Sequence, residues 1–221
     1  MSFLIIHKNK DRNVSVTQRI KQVKQPYGSY LPPKLFSVDE LIDGKELSRE
    51  ENIHPSLVGL CVDYLTRFMN GASLEEAFKI SLYGALMIEK SEASSDLLSK
   101  ITGLDDTSII SACQLAGFDV IFRAGRSGYK PVEDIIPDEA TILNIRIMVE
   151  RSLAFFTQYG PIVKDGFTLE GGYTDTITAG DGDFLTADTL WDFKVSKTKP
   201  TNRPYPSTIN LLSHGNTIRS S

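Results

Sequence analysis

The apolar pattern of the chain changes period at Pro161, and that switch limits the fold more than any other feature. Upstream, PDEATILNIRIMVERSLAFFTQYG opens with Pro137 at a first-turn position and closes at Gly160, with Ile142, Ile145, Val149 and Leu153 on one helical stripe. Downstream, GFTLEGGYTDTITAGDGDFLTADTLWDFKVS is rich in Thr, Phe, Tyr and Val and is cut by Gly171-Gly172, Gly180 to Gly182 and Ala187-Asp188. This predicts three antiparallel strands in a meander, near 162–169, 173–185 and 189–196. Helices gathered ahead of a run of strands predict a mixed α/β fold of the α+β kind.

Before that switch the chain reads mainly as helix. MSFLIIHKNKDR starts with a short apolar run and reads as a first strand, and QPYGSYLPPK as a turn region. SVDELIDGKEL reads as a short helix, with Ser37 as N-cap and Glu40 three residues on. HPSLVGLCVDYLTRFMNG sets Leu57, Leu60, Tyr64 and Phe68 on a stripe and stops at Asn70-Gly71. SLEEAFKISLYGALMIEK follows, capped by Ser73 with Glu76, its stripe made by Phe78, Leu82 and Leu86; the two helices are expected to form an antiparallel hairpin. Two more short helices are expected in 91–117, a strand in FDVIFRAG and a loop in RSGYKPVEDIIP. The expected organisation is a mainly helical region over 1–130, a core over 131–203 and an irregular tail over 204–221.

Composition narrows the class. Hydrophobic residues make 41% and charged residues 24%, as in soluble globular chains, and no apolar run reaches the roughly 18 to 20 residues of a membrane span. Cys61 and Cys113 sit in helical apolar patterns without a CxxC pair. They predict buried free thiols in a reducing, cytoplasmic setting, and no zinc or iron–sulfur site. The net charge of −4 counts mildly against a nucleic-acid binder, but basic residues gather at Lys8, Lys10, Arg12, Arg19, Lys21 and Lys24 and again at Lys194, Lys197, Lys199 and Arg203. Brought together, those ends line a phosphate-binding face; apart, they are two solvated segments. His7, His54 and His214 show no ligand spacing and read as structural.

The chemistry concentrates in GDGDFLTADTLWDFKVSK. Asp183 ends one predicted strand and Asp192 lies in the next, and cross-strand neighbours on one face are about 5 Å apart. Two facing carboxylates repel unless a divalent cation sits between them. Lys194 follows Asp192 by two residues and so shares its face, while Trp191, Phe193 and Val195 point into the core. The Phe193 carbonyl is a further oxygen donor for a hard cation, and Asp181 competes with Asp183 as ligand. Carboxylates, a cation and a lysine suit phosphodiester hydrolysis. Without a metal, the same residues are a turn and a surface ion pair.

Gly180-Asp181-Gly182-Asp183, a hairpin, and Trp191-Asp192-Phe193-Lys194 together resemble the core of the PD-(D/E)XK, or restriction-endonuclease-like, nuclease superfamily, in its RecB-like branch. The resemblance covers roughly residues 138 to 200 and implies a helix followed by a three-strand meander, a second helix and a last strand. It implies Mg²⁺ or Mn²⁺ bound by Asp183, Asp192 and a first-helix residue, for which Glu150 is the candidate, with Lys194 acting on water or on developing charge. The activity it implies is hydrolysis of DNA, single-stranded or at duplex ends. A second class is a non-catalytic nucleic-acid-binding or phage-type interaction protein that keeps the fold.

The chain departs from the family after Arg203, where KTKPTNRPYPSTINLLSHGNTIRSS, with Pro204 and Pro206, opposes the expected second helix. Back-translating Pro204 to Gly215 and reading one base later permits His-Thr-Leu-Gln-Leu-Leu-Ile-Tyr-Tyr-Leu-Met-Gly, an amphipathic helix bearing Gln and two Tyr. The expectation is a one-base frameshift that cuts short a longer nuclease and impairs it. Sequencing the gene tests this: the shifted frame should continue as that helix, and an early stop or a polar run there excludes it.

Overall fold

The computed structural model describes Ser15, Gln22 and residues 37–40, 43–168, 180–193, 195 and 216–219. The helices are α1 (Pro55–Met69), α2 (Leu74–Ala77), α3 (Lys79–Leu86), α4 (Ser91–Ser99), α5 (Asp106–Ala116), α6 (Asp119–Ala124) and α7 (Glu139–Tyr159). The strands are β1 (Ser37–Glu40), β2 (Lys164–Thr168), β3 (Asp181–Leu185), β4 (Leu190–Trp191) and β5 (Asn216–Arg219). Helices lead into a three-stranded antiparallel sheet of order β2-β3-β4, so the chain is α+β; β1 and β5 pair separately. None of the described helices is long and apolar enough to cross a membrane.

Local chemistry sets the helix ends. Ser73, Asp105 and Asp138 cap α2, α5 and α7, their side chains accepting from the N–H of Glu76, Ser108 and Thr141. Asp138 rather than Pro137 is thus the junction residue of α7. His54 caps α1 through Nδ1, which accepts from the Ser56 N–H at 3.2 Å, a structural role as expected for a lone histidine. Asn70 closes α1, and Gly71, at φ +107°, makes the turn that L side chains resist.

Two clusters of buried side chains share α7. Its first half sends Ile142, Ile145 and Val149 into a helical core with Val58, Cys61 and Leu65 of α1 and Ile109, Ala112 and Cys113 of α5. Its second half sends Phe155 and Phe156 against Phe184, Trp191 and Phe193 of the sheet. Phe155 meets the Trp191 ring edge-on at 4.8 Å, and Phe156 stacks on Phe193 at 4.9 Å. Cys61 and Cys113 are buried free thiols with Sγ atoms 3.3 Å apart, and burial pushes the Cys61 thiol up.

Residues 43–52 run along α7 as a strap. The Asn52 N–H donates to Thr141 Oγ1 and its Oδ1 accepts from the Asp138 N–H, while Ser48 and Asn144 exchange two hydrogen bonds. Arg151 grips Asp43 with two bonds of 2.8 Å.

A second tie is buried. Asp119, 2% exposed, accepts from the Tyr64 hydroxyl and the Ser81 hydroxyl, each at 2.5 Å, and from Arg123 Nε at 3.2 Å. One carboxylate thereby joins α1, α3 and α6, and its partners offset the cost of burying its charge. Burial, reinforced by that charge, pushes the Tyr64 phenol far above its usual range, so it remains a donor.

Four expectations are corrected here. SVDE is strand, paired with 216–219, and no helix forms over 43–50, because cross-strand partners outweigh the local Ser37/Glu40 signature. FDVIFRAG is the helix α6, held by Asp119 and by Phe118 stacking on Tyr129 at 6.0 Å. α3 packs on α6 and not back along α1, which leaves Leu86 62% exposed instead of buried on a stripe. RSGYKPVEDIIP contains two short 3₁₀ turns. The N-terminal strand, the part of the middle strand before Gly180, and the tail apart from 216–219 lie outside the described residues.

Trp191 is the chain's single tryptophan and is 3% exposed, so its emission reports on the sheet cluster. Phe155→Ala should cost about 3–5 kcal/mol in urea denaturation followed at Trp191 and red-shift the folded-state emission. Gly84→Ala should also destabilise, reversing the usual gain of alanine over glycine in a helix, because a Cβ at Gly84 collides with the Phe118 carbonyl.

Candidate metal and phosphodiester site

The site rests on the alternation of β3. Gly182, Phe184 and Thr186 turn inward and Asp181, Asp183 and Leu185 outward. Phe184 pairs with Trp191 and Leu185 with Leu190. Continued by one residue, that register sets Asp183 against Asp192, on the face opposite the aromatic cluster. The Asp183 carboxylate reaches across: its Oδ2 accepts from the Phe193 N–H at 2.7 Å. The Asp192 Oδ2 is shielded from solvent. The Asp183 carboxylate therefore lies against the short piece of backbone Asp192-Phe193.

The rings behind this backbone fix it. Phe193 and Trp191 both enter the cluster with Phe155 and Phe156, as the alternation predicts. The Trp191 indole N–H donates to Thr186 Oγ1 at 3.1 Å, and the Thr186 N–H to the Thr189 carbonyl at 2.9 Å, closing the turn between the strands. Val195 does not follow Trp191 and Phe193 inward: it is 37% exposed, because the α7 rings reach no further along the strand than Phe193. Gly182 is the close-approach point of β3; a Cβ there would press on Phe167 and Leu190.

Glu150 lies elsewhere in the network. Its carboxylate pairs with Lys45 Nζ at 2.5 Å where the strap crosses α7, one residue from the Arg151–Asp43 pair. Among the described residues no group of three or more His, Cys, Asp or Glu side chains comes together to hold a metal, so Glu150 does not join Asp183 and Asp192 in one cluster. Asp181 is exposed, paired in register with Thr168. Lys194 and the two basic clusters near the chain ends lie outside the described residues.

Four contributors carried no site signal in the sequence. Arg67 holds Asp63 through two bonds and lies 5.9 Å from the ring centroids of both Tyr64 and Phe184, linking α1 to the sheet. Gly166, at φ +48°, leaves the room that the Arg67 guanidinium fills. The Asp63/Arg67 spacing of four was visible as a helix-surface pair, but its reach to β2 was not. Lys45 and the Asp43–Arg151 pair carried no sequence signal, since the partners are about a hundred residues apart.

No protein-family model, curated protein or solved structure matches the chain.

Arg151 holds the Asp43 carboxyl well below its ordinary 3.8. A depressed carboxylate contributes stability that is present above its unfolded value and is lost as pH falls through the folded one. Arg151→Met should therefore lower the urea midpoint at pH 7. The gap from wild type should narrow as pH falls below about 4.

Proposed function

We propose that the chain is a metal-dependent nuclease with a restriction-endonuclease-like core that hydrolyses DNA phosphodiester bonds. The observation that carries this reading is the hydrogen bond from the Phe193 N–H to Asp183, which sets that carboxylate beside the Asp192-Phe193 backbone, backed by rings from α7. The order of α7, β2, β3 and β4 supports it, being the helix-then-meander order that the motif implies.

The donors suit a hard divalent cation, Mg²⁺ or Mn²⁺: two carboxylates on neighbouring strands, which such an ion prefers as oxygen ligands. When bound, it supplies a polarised phosphate oxygen and a bound water of lowered pKa. Asp183 and Asp192 are the residues that would hold it. The Phe193 N–H orients Asp183, and the rings of Trp191 and Phe193 keep that backbone from moving. Lys194, two residues beyond Asp192, is assigned to the attacking water or the charge developing on the phosphate. Glu150 serves the site only by leaving Lys45, which makes it an assisting group at most.

Plasmid and single-stranded DNA incubated with MgCl₂ test this. Asp183→Asn, Asp192→Asn and Lys194→Ala should each slow cleavage by about a hundredfold or more, and EDTA should abolish it. Equal cleavage by wild type and all three variants would overturn the nuclease assignment.

A further inference from the structure

The helical body carries a surface that neither the two carboxylates nor the cores account for. α3 and α6 pack side by side, and Tyr83 and Phe122 project from them, 43% and 48% exposed. Their ring centroids lie 6.0 Å apart at 28°. Met87, 53% exposed, lies one turn beyond Tyr83. Cations border this face: Lys79 Nζ is 5.8 Å from the Tyr83 centroid, and exposed Arg126 donates to the Met87 carbonyl at 2.8 Å.

Charge segregates here against the trend of the chain. Residues 79–90 and 119–130 hold five Lys or Arg and two carboxylates, one of which is the buried Asp119. The rest of the chain holds 19 Lys or Arg against 26 Asp or Glu. The surface is also rigid: the Gly84 backbone abuts Phe118, and Asp119 bonds Ser81 directly beneath it. Exposed rings on a fixed base lose little entropy when something stacks on them.

We propose that the α3–α6 face binds a single-stranded nucleic acid, with Tyr83 and Phe122 receiving bases and Lys79 and Arg126 facing the phosphates. Flat apolar rings with cations beside them match what a single strand offers, base faces flanked by a polyanionic backbone. The inference deepens the nuclease reading by assigning a surface to the substrate strand, and rests on it for the choice of nucleic acid over other polyanions.

Fluorescence anisotropy of fluorescein-labelled dT20 with the full chain, in EDTA and low salt, tests the surface apart from cleavage. Tyr83→Ala/Phe122→Ala should weaken binding at least tenfold with unchanged thermal melting. Lys79→Gln should weaken it less and reduce the slope of log K against log salt by about one. Failure of wild type to bind dT20, or equal binding by the double variant, would overturn the proposal. So would competition by polyglutamate as effective as that of unlabelled dT20, which would mark the face as a dock for acidic proteins. Binding that depends on the two rings, without cleavage in Mg²⁺, would remove the nuclease reading and leave this surface standing. Cleavage with binding untouched in the double variant would do the reverse.

Discussion

One helix belongs to two cores, and the rest of the structure depends on it. α7 spends its first half burying Ile142, Ile145 and Val149 among the helices and its second half burying Phe155 and Phe156 against the sheet. A three-stranded sheet this small cannot bury enough apolar surface to be stable alone. The sheet therefore borrows a wall of aromatic rings from a helix already fixed at its other end. The strap of residues 43–52 fixes that helix further, with Asn52, Ser48 and Asp43 bonding successive turns. Position at the candidate site is thus inherited: helical core to α7, α7 to Trp191 and Phe193, and their backbone to Asp183.

Asp119 plays a similar part on the other side of the helical body. A buried carboxylate is tolerated only with strong donors, and here Tyr64, Ser81 and Arg123 supply them from three helices. Burial of the Tyr64 phenol keeps it protonated, so the donor does not become a second negative charge. Arg67, one turn after Tyr64 on α1, turns the other way to Asp63 and the Phe184 ring. α1 therefore connects the buried carboxylate to the sheet through adjacent turns, and the two halves of the molecule are coupled by polar as well as apolar contacts.

What the sequence disclosed follows from range. Caps and periods are local, so Ser73, the α7 stripe, the stop at Asn70 and the inward turn of Trp191 and Phe193 were all legible. The antiparallel β2-β3-β4 order was legible because breaks such as Ala187-Asp188 separate short strands that pair in sequence order. Long-range choices were not. Ser37 and Glu40 imitate a capping box, yet they form a strand because a partner lies near the far end of the chain. FDVIFRAG has strand-like composition, yet Asp119 and Arg123 at helical spacing meet Tyr64 and Ser81 and make it α6. Leu86 falls on a correct helical period but faces outward, since α3 chose α6 over α1. The outward turn of Asp183 was readable from strand alternation, whereas the Lys45 partner of Glu150 was not.

The same alternation that buries the rings also decides which residues stand on the opposite face. Packing Phe184 and Trp191 inward obliges their neighbours Asp183 and Asp192 to face outward together. The Asp192 Oδ2 is shielded from solvent there, and the Phe193 N–H holds Asp183 at 2.7 Å. Trp191 and Phe193 anchor the backbone on either side of Asp192 in the cluster that secures the sheet. A fold stabilised by burying those rings thereby fixes the backbone from which Asp183 and Asp192 project, so the candidate site takes its geometry from the same contacts that hold the sheet.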